Sequence, residues 1–180
     1  MLVELEIKKI SSDVVLGSFD CGNQSINNLI SQSYYPTLLH QGHAFCVHYN
    51  GQVIAYYMLS IIAFNIDKCP PDVKEYLEHS IKNSFNKHFA AVHIQYLAVD
   101  KQYQKYGIGT QLLKRIIKST QALCKQWPIR FITLDALDDK VPWYRKNGFK
   151  EFGFGDTDHA TTMYLDCVSQ KDIDDYASDV

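Results

Sequence analysis

The chain opens on an alternation of period two. Val3, Leu5 and Ile7 stand against Leu2, Glu4, Glu6 and Lys8, the pattern of a half-buried strand over residues 2–10. The stretch FDCGNQSINNLISQSYY (19–35) then predicts a turn and a helix. Asn23 or Ser25 supplies the N-cap oxygen, and Ile26, Leu29 and Ile30 form the apolar stripe. Asn50-Gly51, between two β-rich runs, marks a two-residue hairpin turn. Pro70-Pro71 breaks the chain, and Val73, Leu77, Ile81 and Phe85 recur every four residues along the next helix.

The second half is more strongly patterned. AAVHIQYLAV (90–99) is a nearly continuous apolar run, as expected of a central strand covered on both faces. Ile108, Leu112, Leu113, Ile116, Ile117 and Leu123 give the following helix a buried face, with Lys114, Arg115 and Lys118 outside it. IRFITLDAL (129–137) predicts a strand, and DDKVPWYRKNGF (138–149) a short helix stopped at Asn147-Gly148. FKEFG (149–153) and ATTMYLDCV (160–168) predict two closing strands. The order β-α-β-β-α-β-α-β-α-β-β contains no repeat. It predicts one α/β (α+β) domain over residues 1–168, a mixed sheet with helices on both faces, and an acidic, frayed tail at 169–180.

Charge and cysteine content narrow the function. A net charge of -2 sets up no global field for nucleic acid or acidic lipid, so any basic surface must be local. Cys21, Cys46, Cys69, Cys124 and Cys167 are scattered with no CxxC pair, as expected of buried thiols in a reducing compartment. His40, His43 and Cys46 share a three-residue spacing, but the chain passes from helix to strand there and the geometry of a metal site is lost. The N-terminus is too charged for a signal peptide, and no apolar stretch reaches membrane length. A cytoplasmic protein without a membrane partner is expected.

The informative chemistry lies in DKQYQKYGIGTQLL (100–113), between strand and helix. The first N–H groups of a helix have no internal partner and carry partial positive charge, and glycine lets a phosphate approach the backbone. A P-loop requires a lysine after its last glycine; here Thr110 and Gln111 follow Gly109. A dinucleotide fingerprint requires a third glycine and a ribose-binding acid; Leu112 occupies the glycine's place, and the nearest acid is Asp135. The remaining pattern is Gln/Arg-x-x-Gly-x-Gly/Ala, matched by Gln104, Gly107 and Gly109.

That loop resembles the acyl-CoA pyrophosphate loop of the GCN5-related N-acetyltransferases (GNAT). LAVDKQYQKYGIGTQLL is similar to the family's strand-loop-helix segment, WYRKNGFKEFG to its closing helix and strand, and GQVIAYYMLS to its second and third strands. The resemblance implies a GNAT fold: a mostly antiparallel mixed sheet in which a central parallel strand pair splays apart. It implies acetyl-CoA as the acyl donor, with Leu97, Ala98 and Val99 along the pantetheine arm. The backbone of Gln104, Lys105, Tyr106, Gly107, Ile108, Gly109 and Thr110 would take the pyrophosphate. Tyr144 matches the tyrosine that protonates the departing thiolate. The family's strand glutamate is missing from HIQYLAV, so His93 and Tyr96 are the candidates for proton acceptance, directly or through a water chain.

FDCGNQSINNLI also resembles the acetyltransferase toxins of bacterial toxin–antitoxin pairs. That likeness implies aminoacyl-tRNA as acceptor and an antitoxin as partner. A small amine or a protein amine as acceptor stays open, as does a homodimer. The alternative from another class is a catalytically silent module that binds CoA to sense or to interact.

Overall fold

A computed structural model of the chain describes residues 5–12, 17–80, 87–154, 160–169 and 171. Ile81, Phe85 and nearly all of the acidic tail lie outside the described residues. The strands are β1 (Glu6–Lys9), β2 (His43–Tyr49), β3 (Gln52–Asn65), β4 (His88–Val99), β5 (Ile129–Leu137), β6 (Lys150–Phe154) and β7 (Ala160–Asp166). The helices are α1 (Gln24–Ser31), α2 (Tyr34–Leu38), α3 (Pro71–Ser80), α4 (Ile108–Cys124) and α5 (Val141–Lys146). Single 3-10 turns precede α3 and α5. Strand order in the sheet is β1-β2-β3-β4-β5-β7-β6. The chain divides into two compact units, Met1–Ser60 with Ile94–Ile116 and Ile61–His93 with Ile117–Val180.

In the first unit, β1, β2 and β3 form an antiparallel meander. Its β2–β3 hairpin turns where expected: Asn50 has φ 49° and Gly51 φ 76°, the left-handed pair that matches strand twist. Cys46 and Tyr56 turn into a core with Ile10, Ile30, Ala44, Met58, Tyr96 and Ala98. Phe19 packs edge-on against Tyr56, with ring centroids 4.8 Å apart.

The predicted first helix is two helices. Pro36 has no N–H to donate and its ring clashes with the carbonyl four residues back, so helix cannot run from α1 through it. It is tolerated in the first turn of α2 instead. The break is stitched by hydroxyls. Buried Ser33 donates to the Ile30 carbonyl (2.6 Å), and Thr37 donates to the Ser33 carbonyl (2.8 Å) while accepting from the Ala44 amide (3.1 Å). Of the expected stripe, Ile30 is buried and Ile26 half-buried, but Leu29 is 52% exposed.

β5, β7 and β6 are antiparallel, and β4 runs parallel to its neighbour β5. The core of the second unit gathers Ile66, Cys69, Val73, Leu77, Ala91, Phe131 and Tyr164. Phe131, with no exposed surface, meets the rings of Phe89 and Tyr164 edge-on at 5.6 and 6.0 Å. The Arg130 guanidinium lies over both Phe89 and Phe131 and pairs with Asp166 at 2.9 Å. Both charges are mostly buried, so each needs the other.

Phe131→Ala should therefore cost about 3–5 kcal/mol of stability in guanidinium unfolding. A loss under about 1 kcal/mol would mean that the ring cluster is not a packed core.

Candidate active site

β4 alternates. Ile94, Tyr96 and Ala98 are buried, whereas His93, Leu97 and Val99 are half-buried and Gln95 exposed. The expected continuous apolar strand therefore has one fully covered face and one that keeps polar groups in reach.

At the end of β4, within the first unit, the chain is held by carboxylates from two segments. Asp100 is only 6% exposed; its carboxylate accepts from the Asp20 amide (3.0 Å) and the Gln102 amide (2.9 Å). Asp20 in turn accepts from the Lys101 ammonium (2.7 Å), the Gly22 amide (2.8 Å) and the Asn27 side-chain amide (2.8 Å). The Lys101 amide closes the circuit on the Asp20 carbonyl at 2.9 Å. Asn27 also receives the Cys21 amide (3.1 Å), and Asn23 caps α1 through the Ile26 amide (3.2 Å). FDCGN is thus a capped turn, and it is also the brace for the segment that follows β4.

Gln104 extends the brace. Its side-chain amide donates to the carbonyls of Cys21 and Val99, each at 2.9 Å. The next residue, Lys105, takes φ 68°, a left-handed conformation uncommon for a side-chain-bearing residue. Gly107 follows at φ 81°, and a Cβ built there would meet nothing within 4 Å. The glycine is required by its backbone angle, and the space beside it is open. The ladder of α4 begins with the Gln111 amide on the Gly107 carbonyl (3.0 Å). Ile108 is 7% exposed and anchors the helix start in the core, while Tyr106 is 79% exposed. Gly109 and Thr110 are half-buried in the first turn. This is a braced loop at a helix start with open space beside Gly107, an arrangement suited to a diphosphate.

The second unit holds the proton-transfer candidates. Tyr144, on α5, is 9% exposed, with its ring against Trp143 (4.7 Å) and Phe149 (5.7 Å). Burial pushes the pKa of its hydroxyl up to about 12. His93 lies with Nδ1 3.0 Å from the Thr133 hydroxyl and Nε2 4.0 Å from Asp135. Burial lowers the His93 pKa and Asp135 opposes that shift. Tyr96, three positions on, faces the opposite side of β4. Its hydroxyl is buried in the first unit's core near Ser33, and burial raises its pKa while Ser33 opposes that shift, so it keeps its proton at neutral pH.

Sequence reasoning singled out the loop, His93 and Tyr144 but not Asp20, Asn27, Thr133 or Thr162. The signal for Asp20 was present in FDCGN; its partners lie about 80 residues away.

The Lys101 ammonium beside Asp20 holds this carboxyl well below the usual carboxylate range, with Gly22 and Asn27 adding to the effect. A depressed folded-state pKa stabilises above the ordinary value of 3.8 and is lost only as pH falls through the folded value. The brace should therefore stay intact from neutral pH down past pH 4. Asp20→Ala should speed hydrogen exchange at the amides of Lys101 and Gln102 by roughly tenfold or more at neutral pH. Unchanged exchange there would show that the loop does not depend on Asp20.

Residues 40–151 match the family model described as Acetyltransferase (GNAT) domain. No protein of curated function matches the sequence. Among solved structures, a tyrosine mutant of KacT superposes with a TM-score of 0.76 at 18% identity, over 96% of this chain and 98% of that one. AtaT complexed with acetyl-methionyl-tRNAfMet gives 0.74 at 21% identity, covering 97% and 99%. A tyrosine-to-phenylalanine mutant of the AtaT toxin, bound to the C-terminus of the antitoxin AtaR and acetyl-CoA, gives 0.70 at 18% identity, covering 97% and 99%. The match spans the hairpin, β4, the braced loop, α4 and α5, and the chain belongs to the GNAT acetyltransferase family.

Proposed function

We propose that this protein transfers the acetyl group of acetyl-CoA directly to the amino group of an aminoacyl-tRNA. The observation that carries the donor half is the braced loop from Gln104 to Thr110, with its left-handed glycine beside open space at the start of α4. The acceptor half is supported by the family and by likeness in fold to AtaT, whose structure was solved with an acetylated initiator tRNA. A neighbouring antitoxin, as in the AtaT–AtaR complex, is the expected protein partner, and a homodimer is compatible with this reading.

Acetyl-CoA supplies an activated acyl carbon and a thiolate leaving group. The backbone of residues 104–110 would hold its pyrophosphate, and Leu97, Ala98 and Val99 would line the pantetheine arm. Gln104 already occupies the Val99 carbonyl, so it sets the end of the stretch open to that arm. Tyr144 keeps its proton far beyond neutral pH, so it can give it to sulfur as the C–S bond breaks. His93, held neutral by burial, has a lone pair for the proton that leaves the attacking amine. Tyr96 stays protonated and would order a water rather than take the proton. No cysteine need serve as nucleophile: burial raises the thiol pKa of Cys21 and Cys46, which disfavours the thiolate.

On this reading residues 1–168 act as one catalytic domain, since β3, β4 and α4 each continue from one compact unit into the other. Five free thiols fit a reducing cytoplasm. No described helix is long and apolar enough to cross a membrane.

Acetyl-CoA should release free thiol when offered aminoacyl-tRNA, and far less with a panel of free amines. Tyr144→Phe should lose roughly 10²–10⁴-fold in rate while still binding CoA. The alkaline limb of the rate should not set in until well past pH 10.0, the ordinary phenol value, because the folded value is about 12. CoA binding without turnover on any acceptor would replace this reading with the silent module.

A further inference from the structure

His93 is gripped from two sides by residues of neighbouring strands, all within the second unit. Thr133 and Asp135 stand two apart on β5 and so share one face. Thr133, 4% exposed, meets Nδ1 at 3.0 Å. Asp135 presents Oδ2 to Nε2 at 4.0 Å. On β7, Thr162 lies directly across from Asp135 and donates its hydroxyl to Oδ1 at 2.7 Å. One carboxylate oxygen is thus pinned, and the other is aimed at the imidazole.

Building on the reading of His93 as proton acceptor, we propose that Asp135, anchored by Thr162, is a positioning residue that stabilises protonated His93 and passes the proton on to water.

The geometry is asymmetric in the useful sense. At 4.0 Å a neutral Nε2 and a carboxylate share no hydrogen bond. Once Nε2 carries a proton, the same pair attracts, and the contact shortens. Thr133 on Nδ1 sets the ring plane, so the proton arrives on the nitrogen that faces Asp135. The step moves one proton and no electrons: the amine N–H breaks, Nε2–H forms, and Asp135 or a water on it takes the proton next. The Asp135 side chain is 39% exposed and the His93 side chain 17%, so the relay runs outward. Asp135 is the charged group acting on the ring among the described residues; Thr133 and Thr162 are neutral.

The test uses the full chain. Nitrogen-15 NMR of the imidazole, assigned with His93→Gln and run without acetyl-CoA, reads the His93 pKa directly. Asp135→Asn should lower it by about one unit, because the opposite charge is gone. Thr162→Val should move it the same way by less. The acid limb of kcat/KM should shift to lower pH with the ring, and the rate above it should fall about tenfold, with KM for acetyl-CoA unchanged. Asp135→Glu should recover part of both. An unmoved ring in Asp135→Asn overturns the coupling and leaves the transferase reading standing. A shifted ring with an unmoved limb overturns His93 as the acceptor, and the relay with it.

Discussion

A single charged residue from the start of the chain, Asp20, holds the end of the central strand in place. Its carboxylate takes Lys101, Gly22 and Asn27, while its amide and carbonyl engage Asp100 and Lys101. Without that lattice, the chain leaving β4 would be an ordinary turn free to sample many conformations. With it, Gln104 reaches two carbonyls, Lys105 is held in a left-handed angle, and α4 starts directly after a glycine turn. Backbone groups bind an anion well when they need not reorganise to do so. The brace supplies that preorganisation from a segment that takes no part in the helix it supports.

The same logic, a polar group fixed by neighbours before it acts, recurs in the second unit. Tyr144 sits among aromatic rings, which shield its hydroxyl from water and keep it protonated. Burial biases His93 toward its neutral form as well, with the Asp135 carboxylate 4.0 Å away opposing that shift. Desolvation disfavours the charged form of each, which keeps the phenol protonated and the imidazole neutral at one pH, as the proposed roles of donor and acceptor require. Neither assignment needs a residue of unusual type, only unequal surroundings.

Much of this was legible in the residues. The hairpin follows from Asn50-Gly51, because that pair tolerates two successive positive φ angles. The span and buried face of α4 follow from its apolar spacing, and Ile108, Leu112, Leu113 and Ile116 are buried as expected. The glycine loop and Tyr144 were visible as local motifs. The apolar spacing over 19–35 points to one helix with Leu29 on its inner face, whereas α1 ends at Ser31, α2 starts at Tyr34 and Leu29 is exposed. Here the missing N–H and the ring of a single proline decided more than periodicity did.

The chain by itself thus determined most of the elements, their order and the glycine turn before α4, since these rest on periodicity, backbone angles and residue type within a few positions. Only the tertiary structure decided which distant groups the carboxylates meet. Asp20 meets Lys101, and Asp135 meets both His93 and Thr162, across 27 to 81 residues of chain. Such pairings depend on strand register and on distances of a few ångströms, and no local pattern encodes them.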